Sequence, residues 1–166
     1  ANGCTAATAT VYNVTVNALP VPTLAGPNPR CEGSTGNVYT TQAGMSNYVW
    51  TVSANGTITA GGTSTSNTVT VTWNTAGAGI VSVSYTNANG CTAATPTVFN
   101  VTVNPTPVAS ITANYCSDPG YIRLTAHPDP PGYTYLWSNG AVTPSILIDI
   151  VGNYSVTVTN AFGCSS

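Results

Sequence analysis

The sequence predicts an all-β protein, built as tandem small antiparallel β-sandwiches. Three observations carry this. Apolar residues recur with period two, not 3.6: Val69, Val71 and Trp73 alternate with Thr68, Thr70 and Thr72, and Val81, Val83 and Tyr85 with Ser82, Ser84 and Thr86. Residues 88–104 repeat residues 1–17, with differences only at Ala9/Pro96 and Tyr12/Phe99. Glycine and proline punctuate the chain too often for long helices, and no segment carries a helix-length apolar stripe.

The elements follow in order. Residues 1–17 are expected to be the last strand of a preceding repeat, because Tyr12, Val14 and Val16 alternate with Val11, Asn13 and Thr15. On this reading the chain is a segment of something longer. Residues 18–26 form a linker around Pro20 and Pro22, since alternating prolines stiffen a connector and stop a ladder. Residues 27–104 form a complete repeat. Its strands are expected at Val38–Thr41, Tyr48–Ser53, Thr57–Ala60, Thr68–Trp73, Ile80–Thr86 and Val98–Val103, with a short one near Leu24. Asn55-Gly56 predicts a hairpin between the second and third of these. A second proline linker, Asn104-Pro105-Thr106-Pro107-Val108, opens residues 105–166. That second repeat is predicted at Ala109–Ala113, Tyr121–Ala126, Thr134–Trp137, Ser145–Ile150 and Asn153–Asn160. It is truncated before a counterpart of the Val98–Val103 strand, and its open edge is a place where residues 10–17 of a neighbouring chain would fit as a donated strand.

Composition narrows the function. Charged residues make up 4% of the chain, against roughly 25% in an average soluble domain, so Thr, Ser, Asn and Gly must cover the surface. There is no lysine, and Arg30 and Arg123 are the only cations, which excludes binding through phosphate neutralisation, whether to nucleic acid or to an anionic membrane surface. No apolar run approaches the length that spans a bilayer. The lack of lysine also blunts trypsin-like proteolysis.

Five cysteines in so charge-poor a chain point to disulfides and an oxidising compartment. The repeat leaves two pairings open. Cys31–Cys91 and Cys116–Cys164 would close each repeat on itself, with Cys4 bonded upstream; this is the favoured arrangement. Alternatively, Cys4–Cys31 and Cys91–Cys116 would form, with Cys164 bonded downstream. A thiolate or zinc site lacks both a Cys-x-x-Cys and a second histidine.

Several stretches resemble a known family. Cys31-Glu32-Gly33-Ser34-Thr35, Tyr48-Val49-Trp50, Gly79-Ile80-Val81-Ser82-Val83 and Thr86-Asn87-Ala88-Asn89-Gly90-Cys91 resemble PKD-like or immunoglobulin-like repeats of Bacteroidota surface proteins, gliding adhesins among them. Tyr135-Leu136-Trp137-Ser138-Asn139-Gly140, Gly152–Val158 and Gly163-Cys164 do so in the second repeat. The Trp-x-Phe-Gly-Asp-Gly type of motif is replaced: Trp50 is followed by Thr-Val-Ser and Trp137 by Ser-Asn-Gly. The resemblance implies Ig-like/PKD-like sandwiches, secretion through the type 9 system, and a place in adhesins, filaments or non-catalytic parts of large enzymes.

No catalytic, cofactor or metal site is expected. Trp50 and Trp137 occupy matching strands and are read as core tryptophans. The rival reading of that pair is a sugar-stacking platform; Trp73 has no counterpart in the second repeat and is expected to be half exposed, as edge packing more often than ligand binding. Tyr154, after Gly152, suits a corner tyrosine bonded back to the chain. His127 lies in a proline-rich loop with Asp129, and Glu32, Asp118, Asp129 and Asp149 are too scattered for calcium or glycosidic cleavage. Asn13, Asn55, Asn100 and Asn153 head Asn-x-Ser/Thr sequons, read here as strand and turn residues. The expected function is a non-enzymatic, extracellular segment of a cell-surface adhesin or filament. Neighbouring repeats of the same longer chain are its partners, and glycans or surface polymers are the further candidates. The alternative is a carbohydrate-binding or spacer module of a secreted polysaccharide-degrading enzyme.

Overall fold

The valine–threonine alternation folds into pleated backbone along most of the chain in a computed structural model. The structure describes Gly3, Thr8 and residues 10–166, with backbone alone at Cys116 and Ser117. The strands are β1 (Arg30–Cys31), β2 (Asn37–Thr40), β3 (Ser46–Val52), β4 (Gly56–Gly61), β5 (Thr68–Trp73), β6 (Gly77–Thr86), β7 (Thr97–Asn104), β8 (Ser110–Asp118), β9 (Tyr121–His127), β10 (Thr134–Trp137), β11 (Ser145–Ile148) and β12 (Val156–Thr159). No helix occurs among the described residues.

The first seven strands form two facing sheets, β1-β7-β6-β3 and β2-β5-β4. Their inner faces meet in one core, including Tyr39, Trp50, Val69, Val71, Trp73, Val81, Val83 and Tyr85. Beta-branched side chains suit these positions because they are stiff and pack well on a pleat. Trp73 is the centre of the core. Its Nε1 donates to the Tyr39 hydroxyl at 3.1 Å, and the Tyr39 ring meets it edge-on at 6.4 Å. Two glycines make room for it: a Cβ added at Gly56 or Gly79 would stand 2.8 or 2.6 Å from the indole.

The last five strands form sheets β11-β9-β8 and β10-β12 around a separate core of Leu124, Ala126, Tyr135, Trp137, Ile146 and Val158. Here β12 pairs with β10 alone among the named strands, whereas β6 is flanked by both β3 and β7.

Three differences from expectation have physical causes. Asn55-Gly56 is not a hairpin. The turn, closed by Gly56 N–H to Ser53 O at 2.9 Å, carries the chain from β3 in one sheet to β4 in the other. Gly56 is needed for space against Trp73 and Val52, not for a hairpin φ. Residues 10–17 form no strand and leave Val11, Tyr12, Val14 and Val16 exposed, since a strand exists only where another pairs with it. Finally, β1 is a parallel addition to β7, with Cys31 opposite Asn104, and has no periodic signal in the sequence.

Strand direction decides what can meet. Gly77, where β6 begins, lies opposite Val103, and Val103 lies opposite Arg30. Cys31, Asn104 and the start of β6 therefore share one end of the first sandwich. Cys91 follows the far end of β6.

Candidate functional site

The two cores are joined where the Asn104–Pro107 linker leaves β7. Cys31 is bonded to Cys164, with the Cα atoms 5.6 Å apart and a sequence separation of 133. This overturns the favoured pairing and its alternative. Cys91 is a free cysteine, and Cys164 is taken by Cys31, so neither Cys31–Cys91 nor Cys116–Cys164 exists. The reason is reach. A disulfide needs Cα atoms within about 7 Å, but β6 has 10 residues, which at about 3.3 Å each put Cys91 on the order of 30 Å from the Cys31 end. Cys4 and the side chain of Cys116 lie outside the described residues.

Asn160 builds the seat around Cys164. Its Oδ1 accepts from Phe162 N–H and Cys164 N–H, both at 3.0 Å, and its Nδ2 donates to Pro105 O at 2.8 Å. Cys164 Sγ lies 4.0 Å from Asn104 O. Gly163, at φ +79°, closes the turn with N–H to Asn160 O at 3.0 Å, and the αL region suits glycine there.

The same construction stands at the other end of the first sandwich. Asn87 Oδ1 accepts from Asn89 N–H and Cys91 N–H at 3.0 Å, and Nδ2 donates to Ala18 O at 3.2 Å. Gly90, at φ +77°, closes that turn onto Asn87 O at 3.0 Å, and Cys91 Sγ lies 4.0 Å from Asn17 O. Thr97 Oγ1 holds the incoming linker by donating to Pro22 O at 2.6 Å.

Other predicted residues take structural places. Trp50 and Trp137 are buried as expected, and their Nε1 groups donate to Ser66 O and Thr143 O at 2.9 and 2.8 Å. Trp73 is a correction: it is 0% exposed, not half exposed. It shares the parity of Val69 and Val71 and so faces inward with them. Tyr154 does bond back to the chain, through its hydroxyl to Ile150 O at 3.2 Å. His127 Nε2 meets Thr112 Oγ1 at 3.0 Å, while Asp129 Oδ1 accepts from the Tyr135 hydroxyl at 2.6 Å, so each side chain is engaged elsewhere. Burial first, then that bond and the Asp129 charge, push the Tyr135 phenol up to about 12. Asp118 takes both Nε and Nη2 of Arg123 at 3.0 Å. Glu32 gives its N–H to Asn104 O at 2.8 Å, placing its backbone beside the junction. No group of three or more His, Cys, Asp and Glu that could hold a metal occurs among the described residues. Asn13, Asn100 and Asn153 are exposed, and Asn55 is partly so.

A cavity of about 750 Å³ opens in the second sandwich, lined by Ile111, Ile122, Leu124, Ile148 and Tyr154, with Asp149 at its margin. Tyr115 and Tyr121 also line it, beside Tyr154.

The PKD-like domain family matches residues 17–103. That span holds the first sandwich up to Val103, one residue short of the end of β7, and starts at Asn17, the residue beside Cys91. No curated protein matches the chain. Among solved structures, fibronectin(III)-like modules of Clostridium thermocellum CbhA are similar at 16% identity, covering 88% of this chain and 89% of theirs with a TM-score of 0.40. The D00-D0 domain of intimin is similar at 16% identity, covering 83% of this chain and 91% of its own with a TM-score of 0.38.

Proposed function

This chain belongs to the PKD-like domain family, and from that premise we propose that it is a non-enzymatic structural segment of an extracellular surface protein, an adhesin or filament. One observation carries the reading: the Cys31–Cys164 bond clamps the base of one sandwich to the tip of the next across a proline linker. Such a bond persists in an oxidising compartment, not in a reducing cytosol. A charge-poor coat of Thr, Ser, Asn and Gly fits the same setting. The task of the segment is to hold reach and to carry load while its cores stay folded.

The carbohydrate-binding alternative loses its tryptophan candidates, because Trp50, Trp73 and Trp137 are all buried. Labelling of intact source cells with antibodies to residues 27–104 tests the proposal. Label on unbroken cells that is removed by external protease is the expected result. Label that appears only after permeabilisation overturns it.

A further inference from the structure

We propose that Cys91 is the acceptor of a second junction disulfide, formed with a cysteine at the Cys31-equivalent position of a PKD-like repeat N-terminal to Asn17. The inference deepens the array reading given above and rests on it.

The second sandwich displays the occupied form of the seat. Cys164 hangs from Asn160, which grips the backbone at Pro105, and its sulfur lies beside Asn104 O. Asn104 is also the residue opposite Cys31 in the β1–β7 pair, so the linker asparagine brings the partner thiol with it. The first sandwich shows the same seat around Cys91. Asn87 grips Ala18, the sulfur lies 4.0 Å from Asn17 O, and Cys91 is partly exposed and free. Residues 11–17 carry the β7 sequence up to that asparagine, with Tyr12 for Phe99 as the one change. A repeat whose last strand is residues 11–17 would place its β1-type cysteine opposite Asn17, as Cys31 stands opposite Asn104. Nothing in the first sandwich itself can reach Cys91 from the Cys31 end.

The chemistry is thiol–disulfide exchange with a protein or small-molecule disulfide as oxidant. One thiolate opens the oxidant's S–S bond and forms a mixed disulfide. The second thiolate displaces the oxidant's remaining sulfur. Two cysteine thiols lose two protons and two electrons, and the oxidant leaves as two thiols.

The test is a chain in which residues 18–104 occur twice in succession between Asn17 and Pro105, which recreates an Asn-Ala junction at Asn104-Ala18. After oxidative refolding in a glutathione buffer, free thiols are alkylated and unreduced peptides are mapped by mass spectrometry. Both a Cys31–Cys164 and a Cys31–Cys91 linked peptide are expected. Because the two copies give identical peptides, variants assign them. Cys91→Ser in the leading copy should keep the 31–91 link, and Cys91→Ser in the trailing copy should abolish it. The opposite pattern, or a trailing Cys91 that is alkylated in the chain carrying Cys91→Ser in the leading copy, overturns the proposal. Mapping of the protein taken from its source gives a second measurement independent of refolding: reduced Cys91 there overturns it too. Reduced Cys91 in a surface-displayed protein defeats this inference alone, whereas a 31–91 link in a protein that is never displayed defeats the array reading alone.

Discussion

Stretched between its ends, the oxidised chain should hide both cores from the pull. Force applied at residues 1 and 166 enters at Cys31 and leaves at Cys164 through the sulfur–sulfur bond, and every core strand lies inside that loop. The sequence separation of 133 between the cysteines, at roughly 3.3–3.6 Å per step, corresponds to about 440–480 Å of contour length. In the folded molecule this length is collapsed to a Cα separation of 5.6 Å. Optical tweezers with handles at the two termini measure it directly. With the disulfide intact, extension should come from the flanking residues alone. After reduction, or in the Cys31→Ala variant, two unfolding events should appear whose lengths add to the figure above. Equal traces before and after reduction, or core unfolding in the oxidised chain, would refute the force path.

Loss of the same bond, through Cys31→Ala with Cys164→Ala, removes a closure that chain entropy values at about 5 kcal/mol for a loop of this length; calorimetry should show the two cores melting separately and earlier. Gly79→Ala sets a methyl against the Trp73 ring, 2.6 Å from its nearest carbon; thermal unfolding should record a loss of about 1–3 kcal/mol, the usual range for an overpacked core. Asn160→Ala leaves two N–H groups and the Pro105 grip without their partner; about 1–3 kcal/mol should be lost, and Cys31–Cys164 should be reduced at lower dithiothreitol. Burial raises the phenol pKa values of Tyr39 and Tyr85, and Tyr135 is raised to about 12. These phenols are neutral in the fold and ionise near 10 when unfolded. Their stabilisation is therefore complete below pH about 10 and is lost at higher pH, for Tyr135 as pH rises through about 12, which circular dichroism and tyrosinate absorbance should show as a joint transition.

The strands were legible because alternation of Val and Thr is a local signal. Thr68–Trp73 and Thr134–Trp137 stand where the sequence places them. The burial of Trp73 was legible as well, from its parity with Val69 and Val71; comparison with a second sandwich that lacks the residue obscured it. Asn55-Gly56 marks a turn, but a turn does not say which sheet the next strand joins. The β1 strand is a two-residue parallel pair beside Pro29, and only the presence of β7 makes it a strand. The disulfide had a readable clue that symmetry overrode. Five strands, β2 to β6, separate Cys31 from Cys91, and an odd number of passes ends on the opposite side from where it began. Pairing across the junction follows from that count.

The sulfur bond also changes what a single cut means. The chain offers trypsin only Arg30 and Arg123. Cleavage after Arg123 falls inside the closed ring, so both pieces remain one molecule until a reductant arrives. Cleavage after Arg30 falls just outside it and sheds the N-terminal segment. A digestive enzyme would have to open the ring twice to carry a piece away, and a gel run without reductant would show an intact band from a chain already nicked.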